Sequence, residues 1–244
     1  VHFVALNNVE YAGDGNQFDC DHLSYCRGVY RGYISPTQLQ WLRNDLSQVG
    51  EERLIVIATH IPLLTEADDG VSERITGPYT ENFSELWDIL EPFEHIYGLA
   101  GHDTSHSWKV EINHEHGWSG KPWIAHTLAE VRGSGWRRGP QDLRQVRDAM
   151  MQDGNPNGFY VLRFDDTKLT PEFIPFPFGP DSAGRLRITL EPSLTSPETG
   201  SVNRGYLEGP TKIIVNLFDG GARDSVWASI DGSRKELMTY TIRT

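Results

Sequence analysis

The run Leu54-Ile55-Val56-Ile57-Ala58, which leads through Thr59 into His60, is the segment that most restricts how this chain can fold. Five consecutive apolar residues with β-branched members have strand length but lack the alternation of a half-buried strand, so they fit a strand covered on both faces between helices. The neighbouring segments supply such layers. Val1 to Leu6 reads as a strand. After a loop rich in Gly and Tyr from Val9 to Tyr33, Ser35-Pro36 can cap and open a helix, and Leu39, Trp41, Leu42, Leu46 and Val49 recur mostly every three or four residues. Asn82 can cap a second helix carrying Phe83, Leu86, Trp87, Ile89 and Leu90 and stopped near Pro92, after which His95 to Ala100 returns as a strand ending in Gly101-His102. Strand, helix, strand, helix, strand predicts a mainly parallel sheet covered by helices, an α/β layered domain.

Beyond Ser107 the texture changes. Strand-like segments (Ser107 to Ile112, Trp123 to Val131, Phe159 to Phe164) surround one polar helix expected near Gln141 to Met151. The proline-rich stretch Pro171 to Pro180 reads as an extended linker. After it come only short strand candidates, Leu186 to Leu190, Lys212 to Phe218, Val226 to Ile230 and Glu236 to Ile242, with turns at Asp219-Gly220 and Asp231-Gly232. Their number and spacing predict a small all-β, sandwich-like domain. The expected organisation is therefore residues 1–174 as one layered domain and 175–244 as a β-rich one.

Composition removes several function classes. The 244 residues carry a formal net charge of -12, with no run of Lys or Arg, which argues against a surface for the nucleic-acid backbone. No apolar stretch approaches the roughly 20 residues of a membrane helix. The nucleophile elbow Gly-any-Ser-any-Gly, the phosphate loop ending in Lys-Ser or Lys-Thr, and the dinucleotide fingerprint are all absent. Cys20 and Cys26, six positions apart in a polar loop, are either plain thiols or a small disulfide of an exported protein. Trp108, Trp118, Trp123 and Trp136 crowd one region and raise the thought of a carbohydrate platform, but aromatic residues at this frequency belong more often to a core, Trp41 and Trp87 among them.

Two strands end in the same residue type, one at His60 and one at His102, and ligands gather at the carboxyl ends of strands in open α/β sheets. Imidazole is the commonest metal-ligating side chain, so two of them at neighbouring strand ends point to a divalent ion. His114 and His116 alternate as strand residues on one face would, either as a metal pair or as residues lining a cleft or facing water. His126 either borders a substrate or makes a structural hydrogen bond.

Thr59-His60-Ile61-Pro62-Leu63 and Gly101-His102 resemble the last two metal-binding motifs of the calcineurin-like metallophosphoesterases, in order and separation. His126 to Trp136, Asp153 to Tyr160, Val215 to Asp219, and Ile230-Asp231-Gly232 followed by Met238 resemble the bacterial subgroup with an extra C-terminal domain. The resemblance implies a two-metal site for manganese, zinc or iron, a small phosphate-ester substrate and hydrolysis by metal-activated water, with His60 and His102 as ligands. Residue 104 would be the second His of Gly-His-any-His, where this chain has Thr104; Asp103 or His106 stands ready to replace it, or the position is weakened. The family's three earlier motifs are missing, and Gly15-Asn16 is a loop coincidence. They are expected upstream of Val1, which itself reads as strand in mid-fold. A chain so begun is expected to be inactive or nearly so by itself and to expose a sheet edge, associating with a missing segment or with copies of itself. An exported, periplasmic location is the weak preference. The alternative is a non-catalytic binding module on a degenerate phosphoesterase frame, favoured by Thr104 and the missing motifs.

Overall fold

The computed structural model describes residues 1–13, 16, 29–67, 75–76, 79–131, 137–141, 147–151, 153–176, 185–191, 211–221 and 223–241. Cys20 and Cys26 lie outside the described residues.

Strand β1 (His2–Ala5) is followed by the hairpin β2 (Val9–Tyr11) and β3 (Tyr30–Gly32), helix α1 (Pro36–Leu46) and strand β4 (Leu54–Ala58). Helix α1 begins as its sequence predicts, with the Ser35 hydroxyl accepting from the Gln38 amide and Pro36 at the first helical position. It buries Leu39, Leu42 and Leu46 and ends there, three residues short of Val49. Trp41 falls outside that stripe and is 49% exposed, so it is not a core residue, whereas Trp87 is buried. The short pair β5 (Glu66–Ala67) and β6 (Ile75–Thr76) precedes a 3-10 turn over Phe83–Leu86, a single α-turn α2 (Trp87–Leu90) and β7 (His95–Ala100). Asn82 does not cap that segment with its side chain. Instead it accepts from the Ile34 amide and donates to the Ile34 carbonyl, both at 2.9 Å, tying the entry of α1 to that of α2.

Strands β8 (Trp108–Ile112) and β9 (Trp123–Thr127) complete a five-stranded sheet of order β1-β4-β7-β9-β8. The first four strands run parallel, and β8 is antiparallel to β9. His114–His116 form a 3-10 turn between β8 and β9, which corrects the strand-like alternation expected there. One face of the sheet packs Val4, Ile55, Ile57, Ile96, Val110 and Ala125 against α1, α2 and a cluster of Trp87, Trp118 and Trp123.

Where a polar helix is expected near Gln141 to Met151, the described residues are strand instead, β10 (Arg137–Gln141) pairing with β11 (Arg147–Met150), and residues 142–146 lie outside the described residues. Leu143, Val146 and Met150 recur at helical spacing, yet the described ends of the segment are in strands that pair with each other, so tertiary pairing overrides the local pattern. The proline stretch is likewise not a linker up to Pro175: β12 (Gly158–Asp165) and β13 (Lys168–Pro175) pair along their whole length. The Phe176 amide donates to the Asn157 carbonyl, so strand alternation turns Pro171 and Pro175 away from β12, where a missing donor costs no ladder bond. This hairpin covers the second face of the sheet, Leu162 and Leu169 packing on Leu54, Val56, Tyr97 and Leu99. The doubly covered β4 is thus layered by helix on one side and by a β-ribbon on the other.

The remaining described strands form two ribbons, β14 (Leu186–Glu191) with β15 (Lys212–Leu217) and β16 (Trp227–Ala228) with β17 (Glu236–Leu237). Asp219 and the Asp231-Gly232 pair take the positive φ that their turns require.

Candidate functional site

His60 and His102 stand just beyond the carboxyl ends of adjacent parallel strands β4 and β7. The backbone ladder continues past both strands: the Thr59 amide donates to the Leu99 carbonyl at 3.0 Å, and the Gly101 amide donates to the His60 carbonyl at 3.1 Å. This stitching leaves the two side chains on one spot, with His102 Nδ1 2.8 Å from His60 Nε2 and the rings 4.7 Å apart, centroid to centroid. His60 is exposed and His102 half-buried. At 2.8 Å the two nitrogens are within hydrogen-bonding distance, the tautomer deciding which one donates.

His102 has a φ of 67°, a left-handed conformation that costs a side-chain-bearing residue of order 1–2 kcal/mol. Its loop sets that conformation. The Asp103 amide donates to the Gly101 carbonyl. The buried Asp103 carboxylate accepts from the Ser105 and His106 amides through Oδ1 and from the Trp108 indole through Oδ2. It is therefore committed to holding the loop and faces away from the role of a replacement ligand. The His106 ring leans on Trp108 at 5.2 Å, and Thr104 is exposed.

On the other side, Asn8 fixes His60. Fully buried three residues past β1, its Oδ1 accepts from the His60 and Ile61 amides, both at 3.1 Å, while Nδ2 donates to the Ile61 carbonyl at 2.6 Å and to the Thr80 hydroxyl at 2.7 Å. Sequence reasoning passed over Asn8. The signal that finds it is position, because it follows the end of β1 much as His60 follows β4 and His102 follows β7.

Of the other histidines, His116 accepts from the Asn113 amide through Nδ1 as part of a capping box, and His114 is exposed in the same turn; among the described residues they belong to no group of three His, Cys, Asp or Glu able to hold a metal. His126, on β9, belongs to a separate buried network. Its Nε2 lies 3.2 Å from Asp219 Oδ1, and its Nδ1 lies 3.0 Å from the Tyr97 hydroxyl. An ionised carboxylate only accepts, so Nε2 carries the proton and Tyr97 donates to Nδ1. Burial holds His126 below its ordinary pKa despite the Asp219 carboxylate, leaving it neutral, and Lys109 adds to that depression. Burial alone would raise Asp219, but the His126 hydrogen bond and the Lys109 ammonium, 2.7 Å from Oδ2, keep its pKa depressed. Lys109 is the counter-ion. Tyr160 also donates to Asp219 Oδ1 at 2.7 Å, and the Asp219 amide donates to Asn155 Oδ1. Asp219 thus ties the turn after β15 to β8, β9 and β12, an organising role that sequence reasoning did not give it.

The donor set at the strand ends suits a divalent ion in part. Two imidazoles with converging nitrogens are ligands for zinc, iron or manganese, whereas a protein site for such an ion takes three or four ligands, and the described residues contain no group of three His, Cys, Asp or Glu able to hold a metal. No helix among the described residues is long and apolar enough to cross a membrane.

Comparison with known proteins adds one match. The family model for the C terminal of calcineurin-like phosphoesterase matches residues 126–243, a span that begins at His126 on β9 and contains Asp219. No curated protein is similar enough to the chain to count as a match. Over residues 126–243, then, the chain is similar to the C-terminal region of calcineurin-like phosphoesterases.

Proposed function

We propose that this chain contributes to a metal-dependent phosphoesterase, with His60 and His102 as two ligands of a divalent ion, manganese, zinc or iron, and a small phosphate ester as substrate. The observation that carries the reading is the 2.8 Å approach of two imidazole nitrogens at the ends of adjacent parallel strands. An ion bound there supplies Lewis acidity and lowers the pKa of a coordinated water. The chain's own residues present and orient the ligands: Asn8 fixes the His60 backbone, and Asp103 fixes the loop that sets His102. Thr104, exposed at the place of a further ligand, offers only a hydroxyl, so carboxylates or imidazoles beyond this pair complete the shell. Residues 1–174 form the layered unit that bears the site, and 175–244 a β-rich unit docked on it through Asp219.

Metal uptake tests the assignment. Zinc or manganese binding measured by calorimetry should weaken at least tenfold in His60→Ala and in His102→Ala, and hydrolysis of an aryl phosphate by the complete protein should collapse alongside it; a tenfold loss corresponds to about 1.4 kcal/mol, well within one ligand's contribution. Unchanged metal affinity in both variants would remove the pair from the site.

A second reading follows from the two-residue donor set and Thr104: a binding module that keeps the phosphoesterase frame without its chemistry. Complete, metal-loaded protein that hydrolyses no phosphate ester but keeps affinity for a glycan or protein partner in His60→Ala would favour it.

A further inference from the structure

The hairpin β2–β3 overhangs the histidine pair. Tyr11 and Tyr30 are cross-strand partners in its antiparallel register, and Val9 pairs with Gly32, so these four share one face, while Glu10 and Arg31 form an ion pair on the other. The inner end of the shared face is seated on the body of the protein. A Cβ on Gly32 would lie 2.5 Å from the Tyr79 carbonyl, and Gly32 bridges Thr80, so only glycine lets the hairpin sit this close. The outer end carries the two tyrosines. Their rings lie 5.9 Å apart, Tyr30 meets the His102 ring edge-on at 5.8 Å, and His102 in turn meets His60. Tyr11 is nonetheless 70% exposed, an aromatic ring held on the inward-turned face of a ribbon with most of its surface in water. The hydrophobic effect gives no reason for that placement, whereas a ring left open beside a polar site is what stacking on a planar ligand requires.

We propose that Tyr11 and Tyr30 form an aromatic wall that binds the planar ring of the ester's alcohol, so that the favoured substrates are nucleoside or aryl phosphate esters rather than alkyl ones. The proposal rests on reading the His60–His102 pair as a phosphate-ester site. With phosphate held at the imidazoles, the alcohol portion extends along the ring series toward Tyr30 and Tyr11. The two tilted rings, 54° apart, make a corner rather than a slot, which admits a flat group of either one or two rings.

The test is calorimetric titration of the zinc-loaded full chain with adenosine 5′-monophosphate, phenyl phosphate and ribose 5-phosphate, for the native sequence, Tyr11→Ala and Tyr11→Phe. The two ring-bearing probes should bind about tenfold tighter than ribose 5-phosphate, a modest value for one stacked ring. Tyr11→Ala should abolish that advantage without altering ribose 5-phosphate affinity, and Tyr11→Phe should retain it. An advantage for adenosine 5′-monophosphate but not phenyl phosphate upholds the wall and assigns it to nucleosides; the reverse assigns it to aryl esters. Equal affinity for all three probes, binding of none, or a uniform loss in Tyr11→Ala overturns it. The underlying site reading fails separately, if His60→Ala leaves ribose 5-phosphate affinity intact while the ring-bearing probes still depend on Tyr11.

Discussion

Asn8 shows how a single buried amide can set a site it does not enter. Its four hydrogen bonds reach the His60 and Ile61 backbone and Thr80. Removing the side chain strands several buried polar groups, each costing of order 1–3 kcal/mol, with partial compensation by relaxation or water. Asn8→Ala is therefore expected to lose about 2–3 kcal/mol in urea denaturation and to weaken zinc binding although it removes no ligand. Destabilisation without any change in zinc affinity would make Asn8 a fold residue only. Asn8 escaped sequence reading because an Asn in a polar stretch looks like a turn residue, whereas His60 and His102 stood out as imidazoles behind recognisable strands. Asp103 was legible as a chemical type but not as a direction: nothing in Gly-His-Asp-Thr tells that its carboxylate is consumed by its own loop.

Elements were legible where burial writes its own pattern. The unbroken apolar run of β4 marks a strand covered twice, and Ser35-Pro36 marks the start of α1. Local pattern misleads where pairing decides: the sequence around β11 suggests helix and that of β13 from Pro171 onward suggests linker, because the partners that make them strands are separate segments and the orientation of Pro171 and Pro175 follows from register. The turn after β15 is the clearest case, since Asp219 finds Lys109, His126, Tyr160 and Asn155 on other elements. Its titration has a definite sign. His126 is held neutral below its ordinary 6.5, facing Asp219, Lys109, Tyr97 and Tyr160, so as pH falls beneath 6.5 the unfolded chain gains a proton that the folded chain refuses. Asp219, depressed from 3.8, adds stability present above that value and lost as pH falls through its lower folded value. Urea midpoints should fall from pH 7.5 to pH 5.5, and His126→Gln should flatten that slope; an identical slope in the variant would assign the loss to another group. Asp219→Ala, leaving Lys109 and His126 without their acceptor, is expected to cost about 2–3 kcal/mol at pH 7.5, read from the same denaturation curves.

At the scale of the molecule, β1 lies at one end of the five-stranded order and, among the described residues, pairs with β4 alone. Phe3, 58% exposed, meets Phe164 edge-on. An open strand edge beside an exposed aromatic invites pairing with another chain. Sedimentation at increasing concentration should show association that Phe3→Lys reduces; a monomer at every concentration would show that edge to be shielded. The reach of Asp219 bears on a different matter, the order in which the protein comes into being. The Lys109–Asp219 contact closes a loop of 110 residues, and the His126–Asp219 contact one of 93. Synthesis runs from the amino end, so the strand bearing His126 leaves the ribosome long before the residue that satisfies it. Until Asp219 emerges, the His126 Nε2 proton lacks its acceptor in the fold, so the arrival of the turn after β15, rather than formation of the sheet strands, closes this network.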